Sequence, residues 1–210
     1  MATLSVGGTT IFDGSALQSG AVLTSATFPA GHVVKVYNKV FKARQGISRS
    51  SGEASTAVAD SDYVLIGTGA TGTSGDPLEI TTDIPQSDSS KFIINSSVHI
   101  SANNNDSMYL RIYGGGAFIT DADGLADNGN LDTAYAFGKI HMSASMTDYG
   151  VFCYSVSYLW SPSSASAQTI SIKGTGYSAS NTTYINEGYN DGNHAYYGTA
   201  TSTLTVMEVA

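Results

Sequence analysis

The sequence predicts an all-β protein, a jelly-roll-like antiparallel β-sandwich preceded by an extended N-terminal arm. The chain of 210 residues is 41% hydrophobic but only 12% charged, and its 29 Ser, 22 Thr and 23 Gly residues favour strands and turns. Strand-like segments recur at regular spacing, and no segment sustains the apolar periodicity of an amphipathic helix. Eight to ten strands in about 180 residues are typical of a two-sheet sandwich, most simply a jelly roll.

The first element is the N-terminal arm over residues 1–30, which consists of short polar pieces without a long apolar run. We interpret it as an extended arm or attachment segment that packs on another molecule, and a first hairpin of the main domain remains the alternative. A single β-sandwich domain over 31–210 follows. His32, in the stretch FPAGHVVKVYNKVF, marks the boundary, because no nucleophile motif or carboxylate partner accompanies it as a general base requires.

The strands of the sandwich follow in order along the chain. Residues 91–101 alternate cleanly between apolar and polar, as expected of a strand with one buried face. The run Gly114–Gly116 predicts a bulge or tight bend, and the last strand is expected to pair inside a sheet. The predicted strands cover residues 32–44, 62–67, 78–84, 91–101, 108–120, 134–146, 151–160, 168–178 and 200–209.

Charge and targeting signals exclude several function classes. The net charge of −8 argues against nucleic acid as a partner, since phosphate binding needs clustered Lys and Arg. The basic residues of 35–49 are predicted to form a solvated strand face. The sequence predicts neither a signal peptide nor a membrane helix, which implies synthesis in a cytoplasm and no membrane partner.

The single cysteine, Cys153, forms no intrachain disulfide and is expected in the core.

The acidic loop DADGLADNGNLD, at 121–132, is a candidate calcium site through Asp121, Asp123 and Asp127, because calcium prefers hard oxygen ligands. The match to an EF-hand loop is poor, since Leu125 and Ala126 stand where an oxygen ligand and a glycine are needed. A polar turn rich in Asp, Asn and Gly is the alternative.

The tyrosine-rich loop NEGYNDGNHAYYG, at 186–198, is a candidate recognition loop for a sugar or a protein partner through Tyr189, His194, Tyr196 and Tyr197. Aromatic side chains are enriched in recognition surfaces. A loop packed by its own tyrosines is the alternative.

Motifs of catalysis and cofactor binding are absent from the sequence. We find no phosphate-binding loop, no dinucleotide fingerprint, no Cys/His metal cluster and no obvious carboxylate pair. The sequence therefore predicts a protein that is not an enzyme and that needs no cofactor.

Several segments, in order along residues 28–210, resemble a family of small virion structural proteins of marine bacteriophages and cyanophages, which are tail-fibre-like or capsid decoration proteins. The resemblance is a series of short motifs rather than one signature. The segments are FPAGHVVKV, IPQSDSSKFIINSSVHI, YLRIYGGGAFI, YLWSPSSASAQTISIKG and STLTVMEVA.

The resemblance implies a non-enzymatic component of the virion with a jelly-roll body. It implies a homo-oligomer, a trimer, attached to other virion proteins such as capsid or tail proteins, and it transfers no site residue. Aromatic side chains of VFCYSVSYLW, at 151–160, are candidates to face a partner subunit. The alternative function is a binding module for host surface glycans, assisted by calcium, which would use the acidic and tyrosine-rich loops.

Overall fold

A computed structural model shows an all-β protein. In the residues that it describes, the helical structure consists of one 3₁₀ turn at Asp60–Asp62. No helix in this part of the chain is long and apolar enough to cross a membrane. The described residues are 3–6, 9–13, 16–17, 31–49, 60–68, 76–85, 88–102, 107–119, 138–141, 150–176, 179–180, 182–188 and 200–209.

The strands lie close to the segments that the sequence predicts, with short additional strands between them. They are β1 (Thr3–Val6), β2 (Thr9–Asp13), β3 (Ala16–Leu17), β4 (Val33–Phe41), β5 (Gln45–Ile47), β6 (Val64–Leu65), β7 (Glu79–Thr81), β8 (Lys91–Ala102), β9 (Ser107–Gly114), β10 (Ala117–Phe118), β11 (Gly138–His141), β12 (Phe152–Trp160), β13 (Thr169–Gly176), β14 (Thr183–Ile185) and β15 (Ser202–Val209).

The N-terminal segment contains a small antiparallel sheet of its own. Strands β1, β2 and β3 pair in that order, and their described pairings are with one another. Part of the segment over 1–30 thus forms a local β-sheet. Its role in attachment stays a prediction. His32 directly precedes β4, as expected of a residue at the start of the main domain.

The first sheet of the sandwich has the order β4-β15-β8-β12. Strand β15 pairs with the first part of β8, and β14 followed by β5 continues beside its last residues. The C-terminal strand therefore lies between two neighbours, as the sequence predicts.

The second sheet is built on the antiparallel pair β9 and β13. Strands β6 and β7 pair along the outer edge of β13, while β10 and β11 pair along the outer edge of β9. From β8 onward, the long strands alternate between the two sheets in the order β8, β9, β12, β13 and β15. The predicted β-sandwich is confirmed, and its jelly-roll character stays a prediction.

The core lies between the sheets and follows the predicted alternation. In β8, Phe92, Ile94, Val98 and Ile100 are fully buried. Each side chain of this size contributes about 1.5–3 kcal/mol when it leaves water. Opposite them the second sheet contributes a matching set, Ile66, Leu78, Ile80, Met108, Leu110, Ile112, Ile119, Ile170 and Ile172.

A two-residue turn at Gly115 and Gly116 joins β9 to β10. Both glycines have positive φ angles, 61° and 86°, which match the type I′ turn that suits the twist of a hairpin. Of the two predicted alternatives, a bulge or a tight bend, the structure has the tight bend.

Asn186 forms a buried polar junction within the first sheet. Its φ is +66°, a conformation that Asn tolerates better than most residues. Its Nδ2 donates to the carbonyl oxygens of Phe41 at 2.7 Å and Ala43 at 3.1 Å, and its Oδ1 accepts from Ser202 Oγ at 2.6 Å. These hydrogen bonds connect the end of β14 to β4 and β15, and they stabilise the part of the first sheet where the three strands meet.

Candidate functional site

The outer surface of the first sheet is formed by four long strands, and we call its twelve central residues the open face. The strand registers place them in three rows of four, one residue from each of β4, β15, β8 and β12. The rows are Val40, Thr203, Ser97, Ser155; then Asn38, Thr205, Asn95, Ser157; then Val36, Met207, Ile93, Leu159.

The open face carries no charged side chain. Its first two rows are almost wholly small and polar, and their groups bond to one another: Ser97 Oγ lies 2.9 Å from Ser155 Oγ, and Thr205 Oγ1 donates to Asn38 Oδ1 at 3.1 Å. Its third row is entirely apolar, and the ends of that row are exposed, Val36 at 62% and Leu159 at 52%. The surface therefore offers an apolar stripe beside an uncharged polar area.

Charged groups lie instead at the edge of the sandwich beside β4. The Nζ of Lys35 is 3.2 Å from Asp83, and the Nζ of Lys39 is 3.1 Å from Asp76. The hydrogen bond with Asp83 raises the pKa of the Lys35 amine above its ordinary value. The backbone N–H of Asp83 also donates to Tyr37 Oη at 3.2 Å. These contacts connect β4 to the segment around β7 and close this edge.

Arg44 and Arg49 do not lie on a solvated strand face, so that prediction is wrong for these two residues. Arg49 is buried, with its Nε 3.4 Å from the Asp62 carboxylate. Arg44 stacks over the Tyr184 ring at 3.9 Å and pairs with Glu187 at 3.5 Å. A lone charge is costly to bury, so each guanidinium is found beside a carboxylate.

The outer surface of the second sheet is different. Three of its residues, Tyr109, Arg111 and Tyr113 of β9, point away from the core and yet are buried, and we call the surface that they form the covered face. The Arg111 guanidinium lies 4.4 Å from the ring centre of Tyr63 and 4.1 Å from that of Phe118. Such contacts join a cation to aromatic faces and are strongest when water is excluded.

Strand β12 carries the aromatic row that the sequence predicts on one face. Phe152, Tyr154, Tyr158 and Trp160 pack against the core but are only partly buried, unlike the residues opposite them on β8. Burial raises the pKa of the Tyr154 phenol. Among described residues β12 pairs with β8 alone. The row thus lies at the sandwich edge, with part of its surface left for other contacts.

Cys153 is exposed, so the prediction that it lies in the core is wrong. It sits between Phe152 and Tyr154, and successive side chains of a strand point to opposite faces. Because the aromatic residues take the inner face, the cysteine must take the outer one, where it is paired in register with His99.

The candidate site residues of the two loops lie outside the described residues. These are the calcium candidates Asp121, Asp123 and Asp127, and the recognition candidates Tyr189, His194, Tyr196 and Tyr197. The residues of the open face were not identified as a site from the sequence. They are separated along the chain, and only the registers of β4, β15, β8 and β12 bring them into rows.

Within the described ranges, no three His, Cys, Asp or Glu side chains are grouped as a metal site would require. Comparison with known proteins gives no relative: no protein-family model matches the chain, and no curated protein sequence is similar to it.

Proposed function

We propose that this protein is a non-enzymatic structural component of a bacteriophage particle, a capsid decoration protein or a short fibre, which assembles as a homo-oligomer, a trimer, through its open face. The observation that carries the assembly proposal is the charge-free open face on a chain whose net charge is −8. Copies that each carry this charge repel one another, so they associate most favourably through a surface without carboxylates.

The apolar row of the open face gives this association its driving force. Val36 and Leu159 lose apolar surface to a second copy, at roughly 25 cal/mol for each Å² removed from water. The hydroxyl groups of Ser155 and Ser157 are small, neutral and exposed, and they allow close approach of another sheet. Three copies with this face turned toward a common axis would bury it without burying a charge.

The size of the open face indicates how strong the association is. Four strands about 4.8 Å apart and three rows about 6.8 Å apart span roughly 400 Å². A standard stable interface buries about 800 Å² on each partner, so this face alone supplies about half of that. We therefore expect weak association in solution, strengthened on a particle where several attachment points act together.

The assignment to a phage particle rests on the resemblance of residues 28–210 to virion structural proteins. The small N-terminal sheet, whose described pairings are internal, supports a segment with a separate task, the attachment to other virion proteins. This proposal places the mature protein in the virion.

Light scattering over a range of concentrations tests the assembly proposal. We expect the mass to rise with concentration toward three times the 21.8 kDa of one chain. A mass that stays at one chain at the highest attainable concentration would contradict it.

Deletion of residues 1–27 tests the attachment proposal. We expect the sandwich of the truncated protein to remain folded, since its core lies in later residues. We also expect the truncated protein to be missing from particles produced with it. Incorporation at the level of the full chain would show that attachment lies elsewhere.

A further inference from the structure

The structure contains a groove around Trp160, which adjoins the open face at Leu159. Two adjoining cavities of about 500 Å³ and 520 Å³ share Gly114, Ala117, Trp160 and Ser163 in their walls. One wall is the glycine hairpin between β9 and β10, and the other is the loop that leaves β12 after Trp160. Each cavity by itself is within the size range of sites for small ligands.

Trp160 is held rigidly at the centre of this groove. Its ring centre lies 6.0 Å from that of the buried Phe92, at an interplanar angle of 32°. A Cβ atom at Gly114 would lie 2.7 Å from the indole, so the missing side chain of Gly114 is what allows the ring to lie against β9. The indole is only half-buried, and its remaining surface faces the groove.

The loop wall is held in place by Gln168, which is itself buried. Its Nε2 donates to the carbonyl oxygens of Ser164 at 3.1 Å and Ser166 at 2.7 Å. The hydroxyl groups of Ser164 and Ser166 lie 2.8 Å apart. On the opposite wall, the backbone N–H of Gly115 donates to the Thr169 carbonyl oxygen at 3.0 Å. These hydrogen bonds fix the conformation of both walls in the free protein, and this preorganisation lowers the entropic cost of binding.

The chemistry of the walls selects the class of ligand. The described residues that line the two cavities are aromatic, aliphatic, small or hydroxyl- or amide-bearing, and none of these described residues is an Asp, Glu, Lys, Arg or His. A phosphate, carboxylate or ammonium group would lose water here and find no opposite charge. A fully apolar ligand would leave the serine hydroxyls of the loop without water.

We propose that this groove binds a neutral saccharide. The indole of Trp160 offers an apolar surface for the C–H face of a sugar ring, and the exposed hydroxyl groups of Ser161 and Ser163 offer hydrogen bonds to its hydroxyls. The inference does not depend on assembly through the open face: the two surfaces share Leu159, but the other eleven residues of the open face, including Val36, do not line the groove.

Trp160 is the single tryptophan of the chain, so its fluorescence reports on the groove directly. The full-length protein is first screened on an array of neutral and acidic glycans, and the best neutral glycan is then titrated while the tryptophan emission is followed. We expect saturable binding with a shift in emission. Binding to acidic glycans alone, or no binding at all, would overturn the proposal.

Ala117→Phe is the test variant, because Ala117 is exposed on β10 and a larger side chain there fills the groove without adding a second tryptophan. We expect the affinity for the glycan to fall at least about tenfold. Val36→Asp, on the open face, is the control and should bind the glycan as the unchanged protein does. Glycan affinity unaffected by Ala117→Phe would place the sugar elsewhere and overturn the proposal. Loss of self-association in Val36→Asp with intact glycan binding keeps the two proposals distinguishable.

Discussion

The two outer surfaces of the sandwich have opposite character. On the covered face, Tyr109, Arg111 and Tyr113 of β9 are buried, and Arg111 is 7% exposed. On the open face, the corresponding central residues are small and uncharged, and Ser155 and Ser157 of β12 are exposed. The side chains of the covered face thus pack against other parts of the same chain, whereas those of the open face are left partly exposed.

This difference shows where large side chains contribute stability and where they would interfere. On the covered face, Lys173 lies 3.9 Å from the centre of the Tyr113 ring, and long side chains of this kind lie flat over aromatic faces. The open face has neither long charged side chains nor large aromatic rings in its twelve positions. A neutral surface is suited to contact with another copy, whereas the aromatic rings and cations of the covered face already contact one another.

The largest expected effect comes from disrupting the covered face. Arg111→Ala removes a buried cation from between Tyr63 and Phe118, and we expect it to lower the free energy of unfolding by about 2–4 kcal/mol, measured by chemical denaturation. Asn95→Ala on the open face is the control and should change stability by less than about 0.5 kcal/mol. Similar losses for the two variants would show that the surfaces do not differ in this way.

A smaller effect is expected where β9 meets the end of β12. Gly114→Ala places a methyl group 2.7 Å from the Trp160 indole and 2.8 Å from Ile119, so the ring must move. We expect a loss of about 1–3 kcal/mol in the free energy of unfolding, together with a shift in tryptophan emission. Ser163→Ala, in the same groove but exposed, should change neither. An unchanged emission in Gly114→Ala would mean that the ring does not depend on this contact.

The open face is tested by adding one carboxylate to its apolar row. Val36→Asp should weaken self-association at least about tenfold, since each copy would bring a like charge into the contact. Sedimentation or light scattering measures the change. Val64→Asp is the matched control, because Val64 is 39% exposed but lies on the second sheet. Equal effects of the two variants would argue against a contact through the open face.

The smallest effect concerns the charged edge beside β4. The pKa of Lys35 is raised by Asp83, so its contribution to stability is present below pH 10.5 and is lost as the pH rises through the higher pKa of the folded state. Because both groups are largely exposed, we expect Lys35→Met to lower the free energy of unfolding by less than about 1 kcal/mol at pH 7.

The difference between the unchanged protein and Lys35→Met should disappear well above pH 10.5, when the lysine is neutral. Lys91→Met, an exposed lysine at the start of β8, is the control. A difference that persists at high pH would show that Lys35 acts through packing rather than charge.

Sequence reasoning predicted the long strands because each of them carries its own alternation. Phe92, Ile94, Val98 and Ile100 were assigned to the buried face of β8 correctly. The short strands β5 and β14 were not predicted, because three residues are too few to show a period of two. Their pairing depends on the end of β8 and on Asn186, which lies far from β4 in the sequence.

Both wrong predictions relied on the character of neighbours along the chain. Cys153 lies in β12, where the side chains of neighbouring residues point to the opposite face. Arg49 lies two residues after the end of β5. Burial of Arg49 depends on Asp62, a partner supplied by a different part of the chain.

The sequence by itself determined the all-β fold class and the strands with a strong alternation, because these features depend on local composition and backbone preference. The tertiary structure decided which strands are neighbours. That choice set the three rows of the open face, the cations of the covered face and the groove around Trp160. Such sites arise from registers between distant segments, and a register is a property of paired strands that no single strand carries in its sequence.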